Sequence, residues 1–235
     1  MPLSKFGAAI DAVNWKTNVG FLLADAESAK LLTSANLQIA IWSRQFETLD
    51  IGNPALCFVR EMQVAGQHVA VLVALSLYKP AAACMRSVLE TALYYSYFRT
   101  HPAELETLAR STGYYPEKRE IIEFHKEHTL EFSELQQKLG VISRMDKWYG
   151  RVSSLVHGQI PGAWIEHKSV AEIKPIKATQ DLAISTFVEG ADIVRRFFLC
   201  STGHQLWDGF SSEAKKQLLA NLHGDEKNAL NLDSA

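Results

Sequence analysis

The stretch on which the fold depends is residues 147–158, which read KWYGRVSSLVHG. Apolar residues recur in and just before this stretch at the spacing of one helical face. They are Met145, Trp148, Val152, Leu155 and Val156. Gly158 and Pro161 follow, and these residue types end a helix and prevent it from restarting. The spacing therefore predicts a helix that buries one face and ends near residue 158.

The same helix carries polar residues on a second face. Tyr149, Ser153 and His157 are four residues apart, so their side chains form one stripe. Arg151 precedes His157 by six residues, an advance of about 9 Å with the two side chains roughly 120° apart around the axis. We expect the rest of the chain to bury the apolar face and to leave the polar stripe accessible.

Length and composition indicate a globular protein with one large core. The chain has 235 residues, of which 47% are hydrophobic. Lys and Arg total 24 against 26 Asp and Glu, a formal net charge of -2. This balance excludes a global basic field for nucleic acid or membranes, although a local basic patch is compatible with it.

Three scattered cysteines, Cys57, Cys84 and Cys200, show no CxxC spacing. An odd number without that spacing disfavours a disulfide framework or a zinc site and is typical of a reducing cytoplasm. The apolar run at 69–78 is too short to span a bilayer, and the N-terminus is a poor secretory signal. The prediction is a cytoplasmic protein without membrane contact.

Helical periodicity over most of the chain predicts an all-α helical bundle, organised as one compact domain. Its expected parts are N-terminal helices at 1–53, a helical core at 54–206, and a C-terminal helix with a frayed polar tail at 207–235. Residues 116–139 are expected to form one charge-rich, solvated helix. Alternating apolar and polar residues at 164–176 predict a short hairpin or an ordered loop after the helix at 147–158.

Arg151 and His157 are the first candidates for chemistry. A metal-free ribonuclease needs a proton-transfer group for the 2'-hydroxyl and the leaving oxygen, and a cation for the charge on phosphorus. His157 and Arg151 have these properties, and Ser153 or Ser154 could bond the phosphate or orient the imidazole. A solvated Arg151, with a His157 that only caps its own helix, explains the same residues and is the more common outcome.

Arg86 and Glu90 form a second candidate, one turn apart in an otherwise apolar helix predicted at 80–98. Burying both charges is costly, so each should have further partners. They are either a structural pair or part of the site. In the site, Arg86 would add a phosphate contact or Glu90 would hold His157.

No motif indicates a cofactor. The chain lacks GxGxxG, a GKS or GKT phosphate loop and a GxSxG elbow. His125 and His128, with Glu127 and Glu131, have a spacing that permits metal ligation on one helix face. Their polar surroundings favour a solvated face instead, so neither a metal nor an organic cofactor is expected.

The run 149–158 resembles a subgroup of the HEPN superfamily, which is named for its occurrence in higher eukaryotes and prokaryotes and for nucleotide binding. Many members carry an Arg followed four to six residues later by a His, matched here by Arg151 and His157. An earlier helix of that subgroup carries Arg-Ser with a downstream Glu, matched by Arg86, Ser87 and Glu90. The resemblance covers roughly residues 54–198, and these two short motifs are its specific part.

The resemblance implies a helical bundle that dimerises through the motif helices and cleaves RNA without a metal. Roles in toxin-antitoxin or phage-defence systems follow by analogy. His157 would then transfer protons, Arg151 would stabilise phosphate charge, and Tyr149, Ser153, Ser154, Arg86 and Glu90 would support them.

One departure from the family pattern keeps a second function open. The residue after the Arg is often polar in active HEPN ribonucleases, and here it is Val152. The alternative is a non-catalytic module of the same fold that binds a nucleotide or a protein encoded nearby. A purely structural helical scaffold is the third reading.

Overall fold

The computed structural model describes residues 3–165 and 167–233. Regular structure in this part of the chain is helical throughout, without a strand, which confirms the all-α helical bundle. The α-helices of the described residues are α1 (Leu3–Asp11), α2 (Trp15–Ala24), α3 (Ala26–Leu49), α4 (Leu56–Ala74), α5 (Tyr78–Phe98), α6 (Pro102–Arg110), α7 (Lys118–His128), α8 (Phe132–Lys138), α9 (Val141–Val156), α10 (Lys177–Cys200), α11 (Thr202–Gln205), α12 (Ser212–Leu219) and α13 (Gly224–Leu230).

Helix α5 lies at the centre of the bundle and contacts α4, α7, α9 and α10. Beside it a cluster of aromatic rings joins three of the long helices. Phe46 packs against Tyr95 and Phe198 with ring centroids 4.7 and 4.9 Å apart, and Trp42 stacks on Phe46 at 5.4 Å. Offset and edge-on ring pairs of this kind add to the free energy of apolar burial. No helix in the described residues combines the length and hydropathy needed to cross a membrane.

Helix α9 contains residues 147–156 of the motif, and its predicted apolar stripe is largely buried, with Val156 half-buried. Trp148 lies flat against α10, where its Nε1 donates a hydrogen bond of 2.8 Å to the carbonyl oxygen of Thr186. The ring occupies the space above Gly190, because a Cβ there would lie 2.4 Å from Trp148 Cζ2. The glycine therefore sets how closely α9 and α10 can approach.

Replacing Gly190 with Ala should lower the free energy of unfolding by about 2 kcal/mol, because the added methyl overlaps a ring that cannot move within a packed core. Urea denaturation measures this loss. Gly150→Ala, in the same pair of helices, is the matched control, since nothing lies within 4 Å of its added Cβ. The control should gain about 0.5 kcal/mol from helix propensity. Equal stability of both variants would contradict the packing described.

The segment after α9 is the ordered loop, not the hairpin. Turns lead into a short 3₁₀ helix, Val170–Glu172, before α10 begins, and Glu166 lies outside the described residues. Trp164 and Ile173 are buried and hold the loop against the bundle. The alternating pattern allowed either a hairpin or an ordered loop. The loop forms because the two buried side chains anchor single points and no partner strand is available among the described residues.

The C-terminal segment differs from the predicted frayed tail. Residues 224–230 form α13, and Leu230 is buried. Arg196 of α10 forms an ion pair with Glu226, and Lys215 contacts Asp233 at 2.9 Å. Polar residues that suggested fraying, Glu226 and Asp233, therefore form ion pairs with cations of α10 and α12. Residues 234–235 lie outside the described part.

The single solvated helix predicted at 116–139 is also corrected. It divides into α7 and α8, because Glu131 adopts a left-handed backbone conformation with φ of 60°. His125, assigned from sequence to a solvated face, is only 2% exposed. Its ring nitrogens lie 3.0 Å from Ser96 Oγ and 2.8 Å from Thr129 Oγ1. Thr129 lies one helical turn after His125, whereas Ser96 belongs to α5 and is brought to the ring only by the packing of the two helices.

The buried His125 should make the protein sensitive to acid. Burial, with a smaller effect of the charge on His101, lowers the pKa of His125 from 6.5 to about 4. The unfolded chain therefore takes up a proton as the pH falls through about 6.5, whereas the folded protein resists protonation until about pH 4. Stability from this group falls across that window, by roughly 3 kcal/mol in total.

Urea unfolding of wild type and His125→Phe at pH 7 and pH 4.5 tests this. The variant loses two hydrogen bonds and should be less stable at pH 7, but its own stability should decline less on acidification. An unchanged difference between the two proteins at both pH values would show that His125 does not titrate as described.

Candidate functional site

The two motifs recognised in the sequence face each other across the contact between α5 and α9. The helices run antiparallel, so Tyr149 near the middle of α9 meets Glu90, and His157 at its end meets Arg86. Lys79, two turns before Arg86, continues the same face of α5 towards the end of α9. The polar stripes of α5 and α9 therefore contact each other along one edge of the interface between the two helices.

His157 is exposed, and its imidazole contacts α5. Its Nε2 lies 2.8 Å from Arg86 Nη1. A guanidinium has only donors, so Nε2 must accept, and the ring in this arrangement is neutral with its proton on Nδ1. The structure therefore presents an imidazole whose basic nitrogen is held by a cation.

Arg86 is itself held by a carboxylate and a phenol. Its Nε donates to Glu90 Oε1 at 2.7 Å, and Tyr149 donates to the same oxygen at 2.6 Å. The guanidinium carbon lies 5.0 Å from the centre of the Tyr149 ring, in cation–π range. Burial opposes the charge on Arg86, but the hydrogen bond and charge of Glu90 outweigh it and raise the pKa of Arg86. Burial, aided by Glu90, raises the pKa of Tyr149 to about 12.

Lys79 adds a second positive charge near His157. A Cβ built on Gly158, the residue after His157, would lie 3.7 Å from Lys79 Nζ. Lys79 forms no ion pair with any residue that the structure describes. The end of α9 therefore meets two cations. Among the described residues a carboxylate neutralises Arg86 but not Lys79, and an anion at this position would gain from both cations.

The two serines have different environments. Ser153 Oγ is buried on the stripe between Tyr149 and His157 and finds no hydrogen-bond partner among the described residues. Ser154 Oγ donates to the carbonyl oxygen of Gly150 at 2.9 Å and lies 3.1 Å from Gln159 Oε1. Ser154 thus links the helix to the following loop, whereas Ser153 has hydrogen-bonding capacity that the fold does not use.

Arg151 contacts a different helix. Its Nη2 donates to Glu189 Oε2 of α10 at 2.5 Å, and its side chain is 46% exposed. The separation of about 120° expected from the helical period places it on the neighbouring face. Within one protomer the structure brings together His157, Arg86, Glu90 and Tyr149, while Arg151 makes its ion pair away from them.

A cavity of about 390 Å³ opens beside Arg86, between α5, α9 and the start of α7. Three aromatic and three cationic side chains line it: Tyr94, Tyr115, Tyr149, Arg86, Lys118 and Arg119. Lys118 forms an ion pair with Asp146 and lies 5.0 Å from the Tyr149 ring centre. The sequence motifs did not predict this lining. The adjacent Tyr115 and the basic pair at 118–119 were the available signal.

No protein-family model, no curated protein and no solved structure matches the chain. The function must therefore be argued from the geometry of these residues.

The contact between Arg86 and His157 can be tested by NMR of the imidazole nitrogens at pH 8. In wild type Nε2 should be unprotonated, with the proton on Nδ1. Arg86→Met should shift the ring towards the form protonated at Nε2, because the donor to Nε2 is gone. Arg151→Met is the matched control and should leave the His157 signals unchanged. A change in the His157 signals of Arg151→Met, with none in Arg86→Met, would show that Arg151 and not Arg86 contacts the imidazole.

Proposed function

We propose that the protein is a HEPN-like, metal-independent endoribonuclease that acts as a dimer. The observation that carries this proposal is the exposed His157 imidazole with Nε2 held by the Arg86 guanidinium, next to Lys79, which has no ion-pair partner among the described residues. A neutral imidazole beside two cations has the groups that RNA cleavage through the 2'-hydroxyl requires. By the family resemblance, the physiological role would be that of a toxin or phage-defence effector.

In the proposed reaction the RNA phosphate competes with His157 for Arg86. Once Arg86 turns to a phosphate oxygen, Nε2 of His157 is free to take the proton of the 2'-hydroxyl. The 2'-oxygen bonds to phosphorus, the bond to the 5'-oxygen breaks, and the imidazolium returns its proton to that oxygen. The products are a 2',3'-cyclic phosphate and a 5'-hydroxyl, with Arg86 and Lys79 balancing the added charge on the phosphoryl oxygens.

Arg151 enters this scheme through the dimer. It lies on a neighbouring face of the same helix as His157. It forms an ion pair with Glu189, and both side chains of this pair are exposed to solvent. Such a pair contributes little stability, so a phosphate can replace the carboxylate at small cost. If the motif helices face each other across a two-fold axis, Arg151 of one protomer would approach His157 of the other.

The alternative is a non-catalytic module that binds a nucleotide or a protein encoded nearby. It is favoured because carboxylates already neutralise both guanidiniums, through Glu90 for Arg86 and Glu189 for Arg151. Val152 is also fully buried, so this position contributes to packing and not to the site. Under this alternative RNA or a partner binds and no phosphodiester bond is broken.

RNA cleavage in EDTA distinguishes the two. Wild type should release fragments that end in 2',3'-cyclic phosphate, and His157→Ala and Arg86→Ala should each be slower by at least about a hundredfold. His68→Ala, an exposed histidine on α4, is the matched control and should retain full activity. Arg151→Ala should lose activity only if the site is shared across a dimer. Equal rates for wild type and His157→Ala would end the ribonuclease proposal.

A further inference from the structure

The cavity beside Arg86 has an opening and lining that suit one flat aromatic ligand. Its volume of about 390 Å³ falls within the range of about 300 to 1,000 Å³ typical of small-molecule sites. Leu93, Pro116 and Ile121 supply apolar wall, and Tyr94 and Tyr115 supply ring surface. Tyr115 is 61% exposed, so the face of its ring is accessible to a ligand in the cavity.

Three cations and two carboxylates, Glu90 and Glu117, line this cavity, and the excess of one positive charge favours an anion that carries such a ring. Arg119 lines the cavity and forms no ion pair with a described residue, and Lys118 lies beside it. Arg86 lies between the cavity and the imidazole, with Nε on Glu90 and Nη1 on His157. A base in the cavity and a phosphate at His157 could therefore belong to one nucleotide unit of an RNA strand.

Glu90 lines the cavity and has one carboxylate oxygen that accepts no hydrogen bond from the described residues. Its Oε1 accepts from Arg86 and from Tyr149, whereas no donor among the described residues reaches Oε2. A carboxylate oxygen accepts from the exocyclic amino groups of adenine, cytosine and guanine. Uracil presents two carbonyl oxygens on either side of its single N–H, and these would be repelled by the carboxylate.

We propose that this cavity binds one unpaired RNA base next to the scissile phosphate, and that it selects bases with an exocyclic amino group. The base stacks on Tyr115, and its amino group donates to Glu90 Oε2. Arg119 and Lys118 hold the phosphate that follows. The inference rests on the proposed function, because it names the part of the substrate that the same site recognises.

Binding of tetranucleotides methylated on every 2'-oxygen tests the base site without any cleavage. Fluorescence anisotropy with labelled A, C and U oligomers should show A and C binding at least about tenfold more tightly than U. Tyr115→Ala should weaken binding of A and C by about tenfold or more, because base stacking is lost. Tyr115→Phe should bind like wild type, since the Tyr115 hydroxyl has no described partner.

Phe6→Ala is the matched control for removal of an exposed ring, because Phe6 lies on α1 and is 49% exposed. It should leave all affinities unchanged. Glu90→Gln should reduce the preference for A over U towards one, since an amide can also donate to a uracil carbonyl. Equal affinity for the three oligomers, unchanged binding by Tyr115→Ala, or no binding by wild type would each overturn the base site.

These outcomes separate the base site from the nuclease activity. His157→Ala should keep the binding preference, because His157 does not line the cavity. Selective binding without RNA cleavage would support the base site and reject the ribonuclease. Cleavage by wild type together with equal binding of the three oligomers would support the ribonuclease and reject the base site.

Discussion

The contact of Trp148 with Gly190 determines how α9 is rotated in the bundle, and the site depends on that rotation. The indole lies directly on the α10 backbone, with Nε1 bonded to Thr186, so α9 can neither turn nor move away without breaking a buried hydrogen bond and opening a cavity. With Trp148 directed at α10, the next residue, Tyr149, faces α5, and so does His157 two turns later. Tyr149 and His157 are thereby directed at Glu90 and Arg86, and Arg151 is directed at Glu189.

The charged groups between α5 and α9 form a connected series. Lys118 and Arg86 lie 5.0 Å from the Tyr149 ring centre, Tyr149 and Arg86 share Glu90 Oε1, and Arg86 reaches His157. Each partly buried charge therefore has a partner, which offsets its desolvation. Arg86 connects this series to an exposed imidazole. An incoming phosphate would compete for a cation that is already positioned, and little rearrangement of the helices would be needed.

Local pattern was sufficient for the elements of the fold, and partly for the site. Period 3.6 predicted α9 with its buried face, the glycine after His157 predicted its end, and one-turn spacing predicted the pairing of Arg86 with Glu90. It was not sufficient where distant residues decide the outcome. His125 was assigned to solvent because its helix is charge-rich, but Ser96 of α5 covers it. Residues 224–230 looked frayed, but Arg196, thirty residues earlier, holds Glu226.

Spacing along the chain was enough to establish that the chain is helical, that α9 has one apolar and one polar stripe, and that Arg86 pairs with Glu90 in a helix with few other charges. These properties follow from spacing along single helices, where neighbours are set by the helical period. The packing of the helices determines that Arg86, and not Arg151, contacts the imidazole, and that Tyr94, Tyr115 and Arg119 line a cavity beside it. Those contacts join residues far apart in the chain, and their distances depend on how closely two helices pack, which a single glycine under a tryptophan controls.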